Sequence, residues 1–175
     1  TTMGFSALDG LMMGTRTGAI DPGALLYLLE SEKLSLSDLS QMLYHESGLL
    51  GVSGLSSEPR YVVQHETAAG ETGERARLAL GLYVRRIVRE IGALTAVLGG
   101  LDLLVFTAGV GENCAFIRER VCSDLSFLNL KIDADANNTH QACISGPDSA
   151  IVVAIEPTNE EWVAAKYALQ LLATR

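Results

Sequence analysis

Leu101-Asp102-Leu103-Leu104-Val105-Phe106-Thr107-Ala108-Gly109-Val110-Gly111-Glu112-Asn113 decides how the chain folds. Leu101 to Ala108 is apolar, rich in β-forming residues and fenced by glycines, so it predicts a buried central strand. Gly109 to Asn113 reads as a turn, and an amphipathic helix follows from about Cys114 to Leu125. The same order recurs downstream. Ala150-Ile151-Val152-Val153-Ala154-Ile155 predicts a second buried strand, Pro157-Thr158-Asn159-Glu160-Glu161 a turn, and a closing helix runs to about Ala173. Two strand–turn–helix units define an α/β chain with a substantially parallel sheet.

The longest periodic segment lies just upstream of the first strand. From about Gly73 to Leu98, Ala76, Leu80, Tyr83, Ile87, Ile91, Leu94 and Leu98 recur three and four apart, which predicts a helix with one buried face. Gly99-Gly100 ends it. Arg77, Arg85, Arg86 and Arg89 fall mostly off that stripe and read as a solvated face. Shorter helices are expected from Ala24 to about Glu32 and from Ser35 or Ser37 to about His45. Residues 1–23 read as glycine-rich loop. Ser47 to Arg60 is dense enough in Gly and Ser to predict turns instead of helix. A further short strand is expected near Asn129–Ile132. No repeat or second domain is visible, and 175 residues fit one domain of ~100–200.

Composition narrows the function classes. With 48% hydrophobic and 19% charged residues the chain is globular. Its net charge of −8 lacks the basic footprint of a nucleic-acid binder and disfavours anionic membrane surfaces. No apolar run approaches the ~18 residues of a membrane-spanning helix. Thr1-Thr2-Met3-Gly4-Phe5 carries no basic stretch before an apolar one, so no signal peptide is expected. The start without an initiator Met predicts a processed or truncated chain. Cys114, Cys122 and Cys143 are odd in number and lack Cys-x-x-Cys spacing, which reads as reduced thiols in a cytoplasmic protein.

Ligands of open α/β sheets bind beyond the carboxyl ends of the strands, so the two turns are the candidate sites. Gly109 and Gly111 would let backbone approach a ligand, and the helix start that follows offers free N–H groups to phosphate. A tight turn needing glycine for its own backbone is the plainer alternative. Cys114 stands where a dinucleotide fingerprint would have its third glycine, which argues against an NAD-binding enzyme. In the second turn Thr158 and Glu161 have capping-box spacing, which leaves Glu160 free as a candidate Mg²⁺ ligand. Met13-Gly14-Thr15-Arg16-Thr17-Gly18 sets one arginine in a small-residue loop, suited to bidentate contact with phosphate or carboxylate. His45, His65 and His140 show no spacing for a metal or a nucleophile triad.

Several of these segments together resemble the signature of the acetate kinase family. They are Thr2-Met3-Gly4-Phe5, Leu8-Asp9-Gly10-Leu11, Met13 to Pro22, Ser47-Gly48-Leu49-Leu50-Gly51, Phe106 to Asn113, and Pro157 to Glu161, in the family's order. The family, which includes propionate kinase, moves the γ-phosphoryl of ATP to a short-chain carboxylate. The resemblance implies an actin-like, sugar-kinase-like fold with ribonuclease-H-like halves. It implies that residues 1–175 are the C-terminal nucleotide-binding domain, with the N-terminal domain absent from the chain. By position, Arg16 matches the arginine that stabilises the transferring phosphoryl group. Gly109, Val110, Gly111 and Asn113 match the turn that holds adenosine, with Glu112 inside the motif. Glu160 matches the Mg²⁺-associated glutamate and Arg60 a nucleotide-site arginine. Glu58-Pro59-Arg60 stands where the family usually has Asp-Met-Arg or Asp-Phe-Arg; by position the resemblance implies Glu58 at the same site, and its longer acid and the rigid Pro59 depart from the family's contacts there. Implied partners are ATP or ADP, a short-chain carboxylate, the N-terminal half and a second copy in a homodimer. A chain without the N-terminal catalytic groups would be a poor kinase alone, and a non-catalytic nucleotide-binding or dimerising module is the alternative.

Overall fold

The periodic segment forms the spine of the computed structural model, which describes residues 2–173 apart from the side chains of Glu160 and Ala173. Four helices precede that spine: α1 (Pro22–Glu30), α2 (Leu36–His45), α3 (Gly48–Ser53) and α4 (Pro59–Gln64). The spine itself, α5 (Gly70–Leu98), ends at Gly99, which takes φ +77° as a left-handed cap. Burial is confined to its first half, at Gly73, Ala76, Ala79, Leu80 and Val84. Leu94 and Leu98, expected on the buried stripe, are exposed, because the helix runs past the core it packs on.

Strand β1 (Leu103–Thr107) follows, then α6 (Ala108–Asn113), α7 (Ala115–Asp124), a 3₁₀ turn (Ser126–Leu128), α8 (Ala134–Asn138), β2 (Val152–Glu156) and α9 (Glu160–Ala173). The strands pair in parallel with Leu103 opposite Val152 and Thr107 opposite Glu156, so the expected α/β crossover is present. The other edge of β2 is met by an antiparallel segment, where Ile144 N–H donates to Val153 O at 2.8 Å and Ile155 N–H to Ala142 O at 2.9 Å. The strand expected at 129–132 is instead a single bridge between Ile132 and Ser145.

β1 is half-exposed, not buried on both faces as its composition implied. Leu104 and Phe106 pack on the core while Leu103, Val105 and the neighbouring Val152 face outward. The core is the inner face of the sheet against α3, α5 and α7, centred on Leu49, Val62, Leu80, Ile117, Val121, Leu125 and Val153. No helix among the described residues is long and apolar enough to cross a membrane.

Candidate functional site

The Gly/Ser-rich segment from Ser47 folds as helix, against expectation, because acceptors from a distant loop satisfy its first N–H groups. Leu49 N–H donates to Met13 O at 3.0 Å and Leu50 N–H to Gly14 O at 2.9 Å. Ser47 N–H reaches Thr15 O at 2.9 Å, and Thr15 Oγ1 donates to Tyr44 O at 2.9 Å. The loop that carries Arg16 is therefore bolted to α2 and α3. Gly48 sits at φ +63°, and a Cβ there would overlap the Met13 carbonyl oxygen and stand 2.9 Å from Arg16 O. Arg16 is half-buried and its Nη1 lies 3.7 Å from Met13 Sδ. No carboxylate among the described residues pairs with it.

Pro59 at the first position of α4 supplies the helical φ, and Glu58 caps the entry with an extended backbone. Pro59 is buried; Glu58 and Arg60 flank it exposed. Two adjoining cavities share this wall. One, of about 350 Å³, is lined by Arg16, Glu58, Pro59, Tyr83 and Val110 among others. Its neighbour, of about 200 Å³, is lined by Glu58, Pro59, Arg60, Gly109, Val110, Asn113 and Cys114. Six of the nine residues singled out from sequence thus meet along one cleft: Arg16, Glu58, Arg60, Gly109, Val110 and Asn113.

The expected turn at 109–113 is a helical turn and a half. It leaves β1 through Ala108, whose φ of +59° is strained for a residue with a side chain. Gly111 is tightly packed, since a Cβ would stand 3.2 Å from the Phe106 carbonyl carbon. Gly109 is different. A Cβ there would meet nothing within 4 Å and its φ is not positive, so the fold itself leaves that space open toward the cleft. Asn113 Nδ2 donates to Gly109 O at 3.0 Å and steadies the turn.

Gly111 and Glu112 do not line the cleft. The Glu112 carboxylate accepts from Thr158 N–H at 2.9 Å and Thr158 Oγ1 at 3.2 Å, tying the first turn to the second. Thr107 Oγ1 adds a bond to Glu156 O at 2.7 Å. Thr158 is consequently not the cap of α9: Asn159 is, its Oδ1 accepting from Trp162 N–H at 2.9 Å. Glu160 is the first residue of α9, and its side chain lies outside the described residues. Among the described residues no three His, Cys, Asp or Glu converge on a metal site.

Sequence reading missed Arg118. It is the largest fully buried side chain and bonds the carbonyls of Gly111 and Glu112 at 2.8 and 2.9 Å. The signal was its register: Cys114, Arg118, Val121 and Leu125 follow one another three and four apart along the buried face of α7.

The model of the acetokinase family matches residues 1–166. An acetate kinase of Rickettsia akari is 48% identical over 172 residues, covering 98% of this chain and 43% of that protein. The crystal structure of Porphyromonas gingivalis acetate kinase superposes with a TM-score of 0.85 at 40% identity, over 98% of this chain and 43% of that one. A propionate kinase structure from Francisella tularensis gives 0.84 at 35% identity, over 91% and 40%. The actin-like nucleotide-binding fold expected from the sequence is the fold shared with these structures, and the chain spans less than half the length of each.

Proposed function

The chain belongs to the acetokinase family, and on that premise we propose that it is the C-terminal, nucleotide-binding part of a kinase that phosphorylates a short-chain carboxylate. A carboxylate oxygen of acetate or propionate attacks the γ-phosphorus of ATP, the bond to the β–γ bridging oxygen breaks, and acyl phosphate and ADP result. Such transfers depend on positioning and on neutralising charge at the equatorial oxygens, which suits a guanidinium in a loop fixed by backbone bonds.

The observation that carries this reading is the open space over Gly109 beside the paired cavities. Gly109, Val110 and Asn113 would border the nucleoside, with Glu58 and Arg60 on the opposite wall. Arg16, free of any described carboxylate, would meet the transferring phosphoryl group. Gly111 and Glu112 would shape the same turn from behind. Mg²⁺ would enter as the nucleotide complex, and Glu160 is the carboxylate we assign to it. The remaining catalytic groups would come from an N-terminal half, and a cytoplasmic homodimer completes the proposal.

Hydroxylamine trapping with Mg-ATP and acetate or propionate tests transfer, and calorimetry with Mg-ADP tests binding. Trapped product supports the kinase and names its preferred acid. Because the chain covers only 43% of its relative, a second reading is a nucleotide-binding module without transfer, supported by ADP binding with no trapped product. Failure to bind ADP would overturn both.

A further inference from the structure

A buried guanidinium without a counter-ion is costly unless its donors all find acceptors. Arg118 is 0% exposed, and none of the ion pairs among the described residues involves it. Burial lowers its pKa, and four of its N–H groups are met by neutral amide and carbonyl oxygens. Nε donates to Asn137 Oδ1 at 2.8 Å and Nη2 to Asn137 O at 2.7 Å, with His140 Nδ1 3.1 Å from Nη2. Asn137 is itself fixed by donating to Ala115 O at 2.9 Å.

The third prong reaches the site. Nη1 donates to both Gly111 O and Glu112 O, carbonyls in the last turn of α6 that would otherwise lack intrahelical partners. The same short helix presents Gly109, Val110 and Asn113 to the cleft from its other side. Its Glu112 carboxylate then holds the backbone and hydroxyl of Thr158, two residues before α9. One hydrogen-bonded strut thus runs from Asn137 through Arg118 and Glu112 to Thr158.

We propose that Arg118 is a positioning residue for the nucleotide site, fixing α6 by its 111 and 112 carbonyls and, through Glu112, the turn at Thr158. The proposal rests on the nucleotide-binding reading, and its test separates the two. Arg118→Lys and Glu112→Ala are compared with the parent chain by the ¹H–¹⁵N shift of the Thr158 amide, which needs no nucleotide, and by calorimetric Kd for Mg-ADP. In Arg118→Lys with a cooperative melt, the Thr158 amide moves and Mg-ADP binds at least tenfold more weakly. A purely structural arginine would lower the melting temperature and leave both readings of the folded protein unchanged, which would overturn the proposal. If Arg118→Lys does not fold, Glu112→Ala decides at the partly exposed end of the strut: an unmoved affinity there overturns the proposal, and a tenfold loss recovered in Glu112→Gln supports it. A parent chain that binds no ADP defeats the functional reading, and the Thr158 shift in Arg118→Lys then decides the strut by itself.

Discussion

Replacing Gly48 by alanine should strike both the stability of the chain and the aim of Arg16. The added Cβ overlaps Met13 O and lies 2.9 and 3.0 Å from Arg16 O and N, all backbone atoms that cannot rotate away. The left-handed φ adds about 1–2 kcal/mol for a residue with a side chain. Overpacking adds about 1–3 kcal/mol. Relief by moving the loop would sacrifice the bonds from Leu49 and Leu50 N–H to Met13 and Gly14 O, at about 1 kcal/mol each. The expected loss is therefore about 2–5 kcal/mol, against a total of about 5–15 kcal/mol for a domain. At ~2–4 °C per kcal/mol the thermal midpoint should fall by about 4–20 °C. Circular dichroism melts of Gly48→Ala and Gly81→Ala make the comparison, because a Cβ at Gly81, inside α5, meets nothing within 4 Å. Gly81→Ala should hold or raise stability by about 1 kcal/mol. If Gly48→Ala melts within about 2 °C of the parent chain, which corresponds to a loss of no more than about 1 kcal/mol, the clamp on the Arg16 loop is not what the geometry says.

Gly109→Ala should keep the thermal midpoint, since its Cβ enters open space, yet weaken Mg-ADP binding at least tenfold; equal affinity in calorimetry would remove Gly109 from the nucleotide wall. Ala108→Gly should stabilise by about 0.5–1 kcal/mol, as relief of the left-handed strain outweighs the extra freedom of the unfolded chain; a urea midpoint that falls would contradict this. Native thiol titration should find Cys143 reactive, being exposed and held below the usual thiol range by Ser145, and Cys114 and Cys122 protected until denaturation. Burial pushes the Cys122 thiol from 9.0 up to about 12, so the folded state holds that proton more tightly. Its contribution is complete below pH 9 and is lost as pH rises toward 12, and urea midpoints across that range should fall more steeply for the parent than for Cys122→Ala. Arg16→Ala, made in the proposed kinase joined to the N-terminal half inferred for it, should lower turnover by orders of magnitude without unfolding; unchanged turnover in the trapping assay would exclude the arginine.

What the sequence made legible was whatever its own neighbourhood dictates. The apolar runs at 103–107 and 152–156 and the periodicity of α5 identify themselves, because strand and helix burial repeat every two or 3.6 residues. α3 was illegible because its first N–H acceptors come from Met13 and Gly14, more than thirty residues upstream. α4 carried a usable signal in Pro59 at its first position, hidden within a Gly/Ser-rich stretch. The capping spacing of Thr158 and Glu161 was real as a pattern, but the Glu112 carboxylate took Thr158 first and left the cap to Asn159. Along the site, residue types could nominate the cleft wall from Arg16 to Asn113. They could not reveal that Glu112 faces the other way or that Arg118 stands behind it.

The capping of α9 through Trp162 N–H has an optical consequence. Trp162 is the chain's only tryptophan, exposed, with Lys166 Nζ 5.3 Å from its ring centre. An indole in a cation's field emits at a wavelength that follows their separation and hydration, and this one begins four residues after the threonine that Glu112 holds. The chain therefore carries an unlabelled fluorophore at the junction between its second strand and last helix, just past the turn that Glu112 ties to α6.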